Sequence, residues 1–185
     1  MMKKIKVALI AALMCCVSGV SLADSIPAGR LPDPKLTPGA WRTHDKTDIY
    51  ICGKTPGDRH STRAIRKLLK QGLIEQVYRD YGHKTHKDGV CAGVKQFCQA
   101  DHLGSLELGG IPDVKENLWI QPYEGEWNAH DKDKLENELH KRVCAGTMDL
   151  VDVQNRVTTN WIQLYKEVFK TQVPLPIGKH QAVSE

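Results

Sequence analysis

The sequence predicts an α+β domain in which helices dominate. Three observations predict it: an apolar repeat at helical spacing over residues 61–81, two short strand-like runs on either side of Gly109-Gly110, and two further helical repeats that carry the chain to residue 170. No internal repeat or low-complexity stretch interrupts this order.

The first residues read as a secretory leader. Lys3, Lys4 and Lys6 precede an apolar run from Val7 to Val20, and Ser21-Leu22-Ala23 has the small-x-small form of a cleavage site. The run is too short for a membrane span, and Ala12-Leu13-Met14 is a poor context for lipid attachment at Cys15 or Cys16. Cleavage after Ala23 leaves 162 residues, enough for one domain with a real core. It also removes three lysines and no acid from a net charge of +4, leaving +1. The basic balance of the whole chain is therefore largely a property of its leader and says little about a nucleic-acid partner, which needs a clustered basic face. Export to the periplasm or beyond is expected, without stable membrane association after cleavage. Of the cysteines that remain, Cys91 and Cys98 suit a local disulfide, which leaves Cys52–Cys144 to close a long loop. A zinc site is disfavoured, because the spacing lacks CxxC and the compartment oxidises thiols.

Residues 24–40 hold Pro27, Pro32, Pro34 and Pro38 with few large apolar side chains, and are expected to form an extended arm and not a packed element. A single domain over residues 41–173 follows. Its first helix, over about 61–81, carries Ile65, Leu68, Leu69, Leu73, Val77 and Tyr81 on one face; Ser61 or Thr62 can cap it and Gly82 suits the position past its end. The basic run Arg59, Arg63, Arg66, Lys67 and Lys70 fits a solvated face of this helix, with Arg63 and Arg66 as its candidates for phosphate contact. After a polar loop at 83–100, residues 100–108 alternate as a short strand that Gly109-Gly110 ends. Residues 117–121 form a second, ended by Pro122 and Gly125. A helix over 129–144 places Leu135, Leu139 and Val143 on one stripe before Gly146. The last, over 149–170, buries Leu150, Val153, Val157, Trp161, Leu164, Tyr165 and Val168. Residues 174–185 are expected to be a flexible tail.

The chemistry concentrates in Asp101-His102, Asn117 and the helix between His130 and His140. Hydrolysis of a phosphodiester needs a base for the attacking water, and an imidazole titrates in the right range. It also needs positive charge at the phosphate, commonly a metal held by carboxylate or imidazole. Asp101 and His102 supply one ligand and one base, and Asn117 can brace the turn between strands. Neighbouring strand residues point to opposite faces, so a twist or bulge would be needed to bring both to one site.

These residues resemble a known pattern. Asp101-His102, then Leu106-Glu107-Leu108-Gly109-Gly110, then Asn117-Leu118-Trp119 is similar to the HNH signature of the ββα-metal finger endonucleases, over roughly residues 100–145. The run resembles more closely a group of small exported bacterial proteins with HNH-like signatures, which continue as Lys132-Asp133, Leu135-Glu136, Leu139-His140 and Cys144 do here. The resemblance implies a ββα-metal core, to which the helical spacing and the cysteine count add further packing helices and two disulfides. It makes His102 the general base, Asp101 a metal ligand and Asn117 the residue that orients His102 or braces the loop. The third ligand departs from the pattern: Ala129 stands where one is expected, so His130 is the preferred candidate and His140 the second, with Glu136 able to join His140 one turn away. The knuckle cysteines of many HNH proteins are missing, and disulfides would do that bracing. The implied cofactor is Mg²⁺, with Mn²⁺, Zn²⁺ or Ni²⁺ as alternatives. The implied activity is an exported endonuclease of low sequence specificity on DNA, with RNA as a second substrate and Lys132, Arg63 and Arg66 on the phosphates. The alternative is a non-catalytic secreted or periplasmic binding module on the same scaffold.

Overall fold

The structure, a computed structural model, describes residues 29–53, 67–83, 90–91, 94–95 and 97–176, with backbone alone at 71, 90, 91, 94 and 95. The leader at 1–23, Arg63 and Arg66, the side chain of Cys91 and the tail from 177 onward lie outside the described residues.

The fold is α+β. In chain order it comprises α1 (Gln71–Asp80), β1 (Val90–Cys91), β2 (Val94–Lys95), β3 (Cys98–His102), β4 (Leu118–Pro122), α2 (Ala129–Cys144) and α3 (Leu150–Phe169). β1 and β2 make a minimal antiparallel ribbon, and β3 and β4 make a longer antiparallel pair. Among the described residues no helix is long and apolar enough to cross a membrane.

Two expected boundaries move. The first helix is described only from Gln71, because residues 67–70 are turn and extended chain and Lys70, at the cap position, makes no side-chain cap bond. Leu68, expected on the apolar face, is accordingly 55% exposed. The strand expected over 100–108 begins earlier and stops at His102. Ser105 Oγ accepts from the Glu107 amide at 3.3 Å, and this local bond folds Leu106–Leu108 into a 3-10 turn that buries both leucines. Gly109 closes the turn at φ +90°, where a side chain is strained. Gly110 is required for another reason: a Cβ there would sit 1.9 Å from the carbonyl oxygen of Gly104. A second 3-10 turn, Lys115–Asn117, leads into β4.

The last two helices occupy the expected ranges. Asn128 caps α2, its side chain accepting from the amides of His130 and Asp131 while Asp131 Oδ2 accepts from the Asn128 amide. Just before it, Trp127 sits at φ +55°, an uncommon conformation held by burial of its ring against Trp161 and Tyr165. α3 is broken at Asn160, whose backbone is extended and whose Oδ1 restarts the helix by accepting from the Gln163 amide. Leu135, Leu139 and Val143 of α2 meet Leu150, Val153, Val157, Trp161, Leu164, Tyr165 and Val168 of α3 in the main core, as their spacing predicts. Each such side chain contributes about 1.5–3 kcal/mol of burial before ordering costs. A smaller cluster joins Val77 and Tyr78 of α1 to Leu118 and Ile120 of β4.

The proline-rich arm is packed where it is described, contrary to expectation. Thr37 is 1% exposed and donates through Oγ1 to the Leu118 carbonyl at 2.7 Å, and the Gly39 amide donates to Glu116 O. Trp161 Nε1 donates to the carbonyl of Arg30 at 3.1 Å. Backbone bonding satisfies the arm without a regular element, which composition could not foretell. Past the arm, Trp41 bridges to Gly110 and buried Gln154 of α3 donates to the carbonyls of Thr43 and Leu108. Cys52 pairs with Cys144 across 92 residues. Cys98 is also disulfide-bonded, to a partner outside the described side chains.

Candidate functional site

β3 and β4 pair without a bulge from Cys98↔Pro122 to His102↔Leu118, with Asp101 opposite Trp119. Regular alternation therefore sends Asp101, Trp119 and Gln121 to one face and Ala100, His102, Leu118 and Ile120 to the other. The second face packs on α1. On the first, Trp119 joins the main core and Asp101 meets α2. The bulge that would turn Asp101 and His102 together is absent from this ladder, and the two side chains leave the strand end in different directions.

The loop from 103 to 117 is tied by one side chain. Asn117, fully buried, accepts through Oδ1 from the Gly104 amide at 2.7 Å and donates through Nδ2 to the carbonyls of Gly104 at 3.0 Å and Ile111 at 2.8 Å. Its own carbonyl takes the Leu103 amide at 2.9 Å. That knot fixes the position of the next residue along, Pro112, whose carbonyl lies 2.9 Å from His102 Nε2. A carbonyl only accepts, so Nε2 carries the hydrogen and the basic lone pair belongs to Nδ1. His102 as a residue is 6% exposed.

On the other face the side chain of Lys132 is 1% exposed. Its Nζ donates to Asp101 Oδ2 at 3.0 Å, to the backbone carbonyl of His102 at 2.5 Å and to Glu136 Oε1 one turn along α2. Asp101 and Glu136 keep 17% and 15% of their side chains exposed. Burial alone would raise the Asp101 pKa, but the Lys132 ammonium and His102 outweigh it and hold the carboxyl below its ordinary range. For Glu136, burial and the repulsion of Asp101 exceed the pull of Lys132 and push its pKa up to about 8. Burial disfavours the Lys132 ammonium, yet Asp101 and Glu136 more than offset it and raise its pKa. The physical reason is a count of charges: two carboxylates around one ammonium leave a buried excess of negative charge, and a proton on Glu136 removes it.

The helix histidines lie elsewhere. The His130 ring stacks edge-on against Tyr123, centroids 4.2 Å apart, at the start of α2. His140 Nε2 bonds the Ile51 carbonyl at 2.8 Å, with Glu107 3.9 Å from Nδ1 and Cys144 Sγ 3.5 Å from Nε2. Among the described residues no three His, Cys, Asp or Glu side chains form a group that could hold a metal. The Asp101 carboxylate, expected to hold a divalent ion, pairs with the Lys132 ammonium in this arrangement. Lys132, expected on a substrate phosphate, is turned inward. The signal for this was present in the spacing: Lys132, Leu135, Leu139 and Val143 fall on one stripe of α2, and a lysine on a buried stripe must find carboxylates inside. Glu136 was legible only as a companion of His140.

No family model matches the chain, and neither does a curated protein or a solved structure.

Proposed function

We propose that the chain is an exported hydrolase of phosphodiester bonds, acting on DNA with little dependence on sequence and with RNA as an alternative substrate. The observation that carries this reading is the setting of His102: its Nε2 is bonded to Pro112 O on a loop that Asn117 locks, which makes Nδ1 the nitrogen that takes a proton from water. A two-stranded hairpin, a Gly-Gly turn, an asparagine brace and a following helix occur in the order the HNH resemblance implies. Within it, Asn117 is a positioning residue, and Arg63 and Arg66 are the phosphate contacts; Lys132 leaves that set. No step is assigned to a divalent ion, since the carboxylates that would hold it face Lys132. Export by the leader at 1–23 is part of the proposal, and the Cys52–Cys144 disulfide is compatible with it.

The second reading, a non-catalytic secreted or periplasmic module, is favoured by one specific observation: His102 is only 6% exposed, little for a base that must meet water and substrate. Plasmid nicking by the mature, oxidised protein separates the two, run with Mg²⁺, Mn²⁺, Zn²⁺, Ni²⁺ or EDTA. The hydrolase reading expects nicking that falls about 10²–10⁴-fold in His102→Ala. No turnover under any of these conditions supports the module, and equal rates for wild type and His102→Ala remove His102 as the base.

A further inference from the structure

A buried ammonium is strongly unfavourable unless all of its donors are met. Lys132 has three N–H donors, and the structure gives it three oxygens: Asp101 Oδ2, Glu136 Oε1 and the His102 carbonyl. They come from β3 and from the next turn of α2, so the fold, and not one local segment, gathers them. Two carboxyl groups, of which a divalent ion would displace the proton on Glu136, and a backbone carbonyl converging on one point are also the donor chemistry that hard divalent cations take. We propose that this oxygen triad is a cation site whose resident cation is the Lys132 ammonium, so that the native protein takes no divalent ion there and loss of the Lys132 side chain uncovers a site for Mn²⁺ or Mg²⁺.

The location gives the ammonium a positioning role. It holds the backbone of His102 from one side while Pro112 holds the ring from the other, joining β3 to α2 at the residue on which the proposed chemistry depends. A tethered ammonium supplies this link at any concentration of free metal, whereas a bound ion would supply it only when metal is present. The inference concerns what fills the triad and does not rest on the hydrolase reading; its test measures binding and not turnover.

The test is a MnCl₂ titration of the untagged mature chain with its disulfides formed, followed by the electron paramagnetic resonance signal of free Mn²⁺ and by calorimetry. Up to about 1 mM, the weak end of oxygen-ligand sites, wild type and Asp101→Asn should leave the same free Mn²⁺. Lys132→Ala should bind one equivalent at least about tenfold more tightly than wild type, and Lys132→Ala with Asp101→Asn should lose that binding. One equivalent bound by wild type and lost in Asp101→Asn overturns the proposal. So does a folded Lys132→Ala that gains no site. Should Lys132→Ala fail to fold, the ¹⁵N-detected ammonium resonance of Lys132 in wild type decides: persistence at one equivalent of Mn²⁺ supports the proposal, and its broadening beyond detection overturns it.

Discussion

Replacing Asn117 with alanine should destabilise the fold by far more than the loss of one polar side chain suggests. The side chain is fully buried and makes three bonds under 3.1 Å, to the Gly104 amide, the Gly104 carbonyl and the Ile111 carbonyl. Truncation strands the Gly104 amide where water does not reach, at about 1–3 kcal/mol. The two carbonyls lose their partners at about 1 kcal/mol each, because a second lone pair softens the loss. The expected total is about 3–5 kcal/mol, at the upper end of single substitutions. Equilibrium urea unfolding of the oxidised protein, followed by tryptophan fluorescence, measures it. Asn117→Asp is the matched control: it keeps an acceptor for the Gly104 amide but sets a buried carboxylate against two carbonyl oxygens, so it should lose at least as much. A loss below about 1 kcal/mol for Asn117→Ala with an unchanged denaturant slope would refute the reasoning, since the loop would then be held by its backbone contacts alone.

The raised pKa of Glu136 has a defined sign. Its folded value of about 8 lies above its ordinary 4.5, so its contribution is fully present below pH about 4.5 and is lost as pH rises through about 8. Unfolding free energy measured across that window should fall with pH in wild type and fall less in Glu136→Gln; parallel curves would disprove the assignment. Asp101, held below its ordinary value, acts in the opposite sense and withdraws its contribution in acid, a limb that Asp101→Asn should flatten. The Cys52–Cys144 bond spans 92 residues and should contribute roughly 4 kcal/mol by restricting the unfolded chain; urea midpoints of Cys52→Ser/Cys144→Ser indistinguishable from wild type would rule that out. Buried Gln121 has no partner for either side-chain polar atom among the described residues. Gln121→Leu should therefore raise stability by about 1 kcal/mol in thermal unfolding, and a fall would show that the amide is engaged.

The helices of the C-terminal half were legible because their signals are local and agree with one another. Leu150, Val153, Val157, Trp161, Leu164, Tyr165 and Val168 keep helical spacing, and the core they form is the one their spacing defines. The break at Asn160 was not legible, since asparagine within a helical pattern is common and only the Gln163 amide reveals its capping use. The segment from 103 to 110 misled for a related reason. Leu106-Glu107-Leu108 alternates as a strand does, yet a Ser105 hydroxyl bond two residues long turned it into a 3-10 turn. At the site, the residue types were legible and their partners were not. Asp101 was expected to share a divalent ion with a histidine of α2, and is found paired with Lys132. Charge chemistry predicts that a carboxylate finds positive charge; only tertiary packing decides whether lysine or metal supplies it.

The disulfide and the candidate base are joined through a short stretch of backbone. Cys144 ends α2, and Cys52 ties that end to the segment following the arm. Ten residues before Cys52, the Arg42 amide donates to Gly109 O, and the Ala40 carbonyl takes the Ile111 amide. Ile111 in turn holds Asn117, and its neighbour Pro112 holds the His102 ring. Reduction of Cys52–Cys144 therefore weakens the covering of the very loop that orients His102, while the Lys132 link on the opposite face, which contains no sulfur, stays in place. With this wiring the His102 ring is least well held before oxidation and best held after it. Were the chain exported as proposed, the compartment that closes the disulfide would also complete the support of the His102 ring.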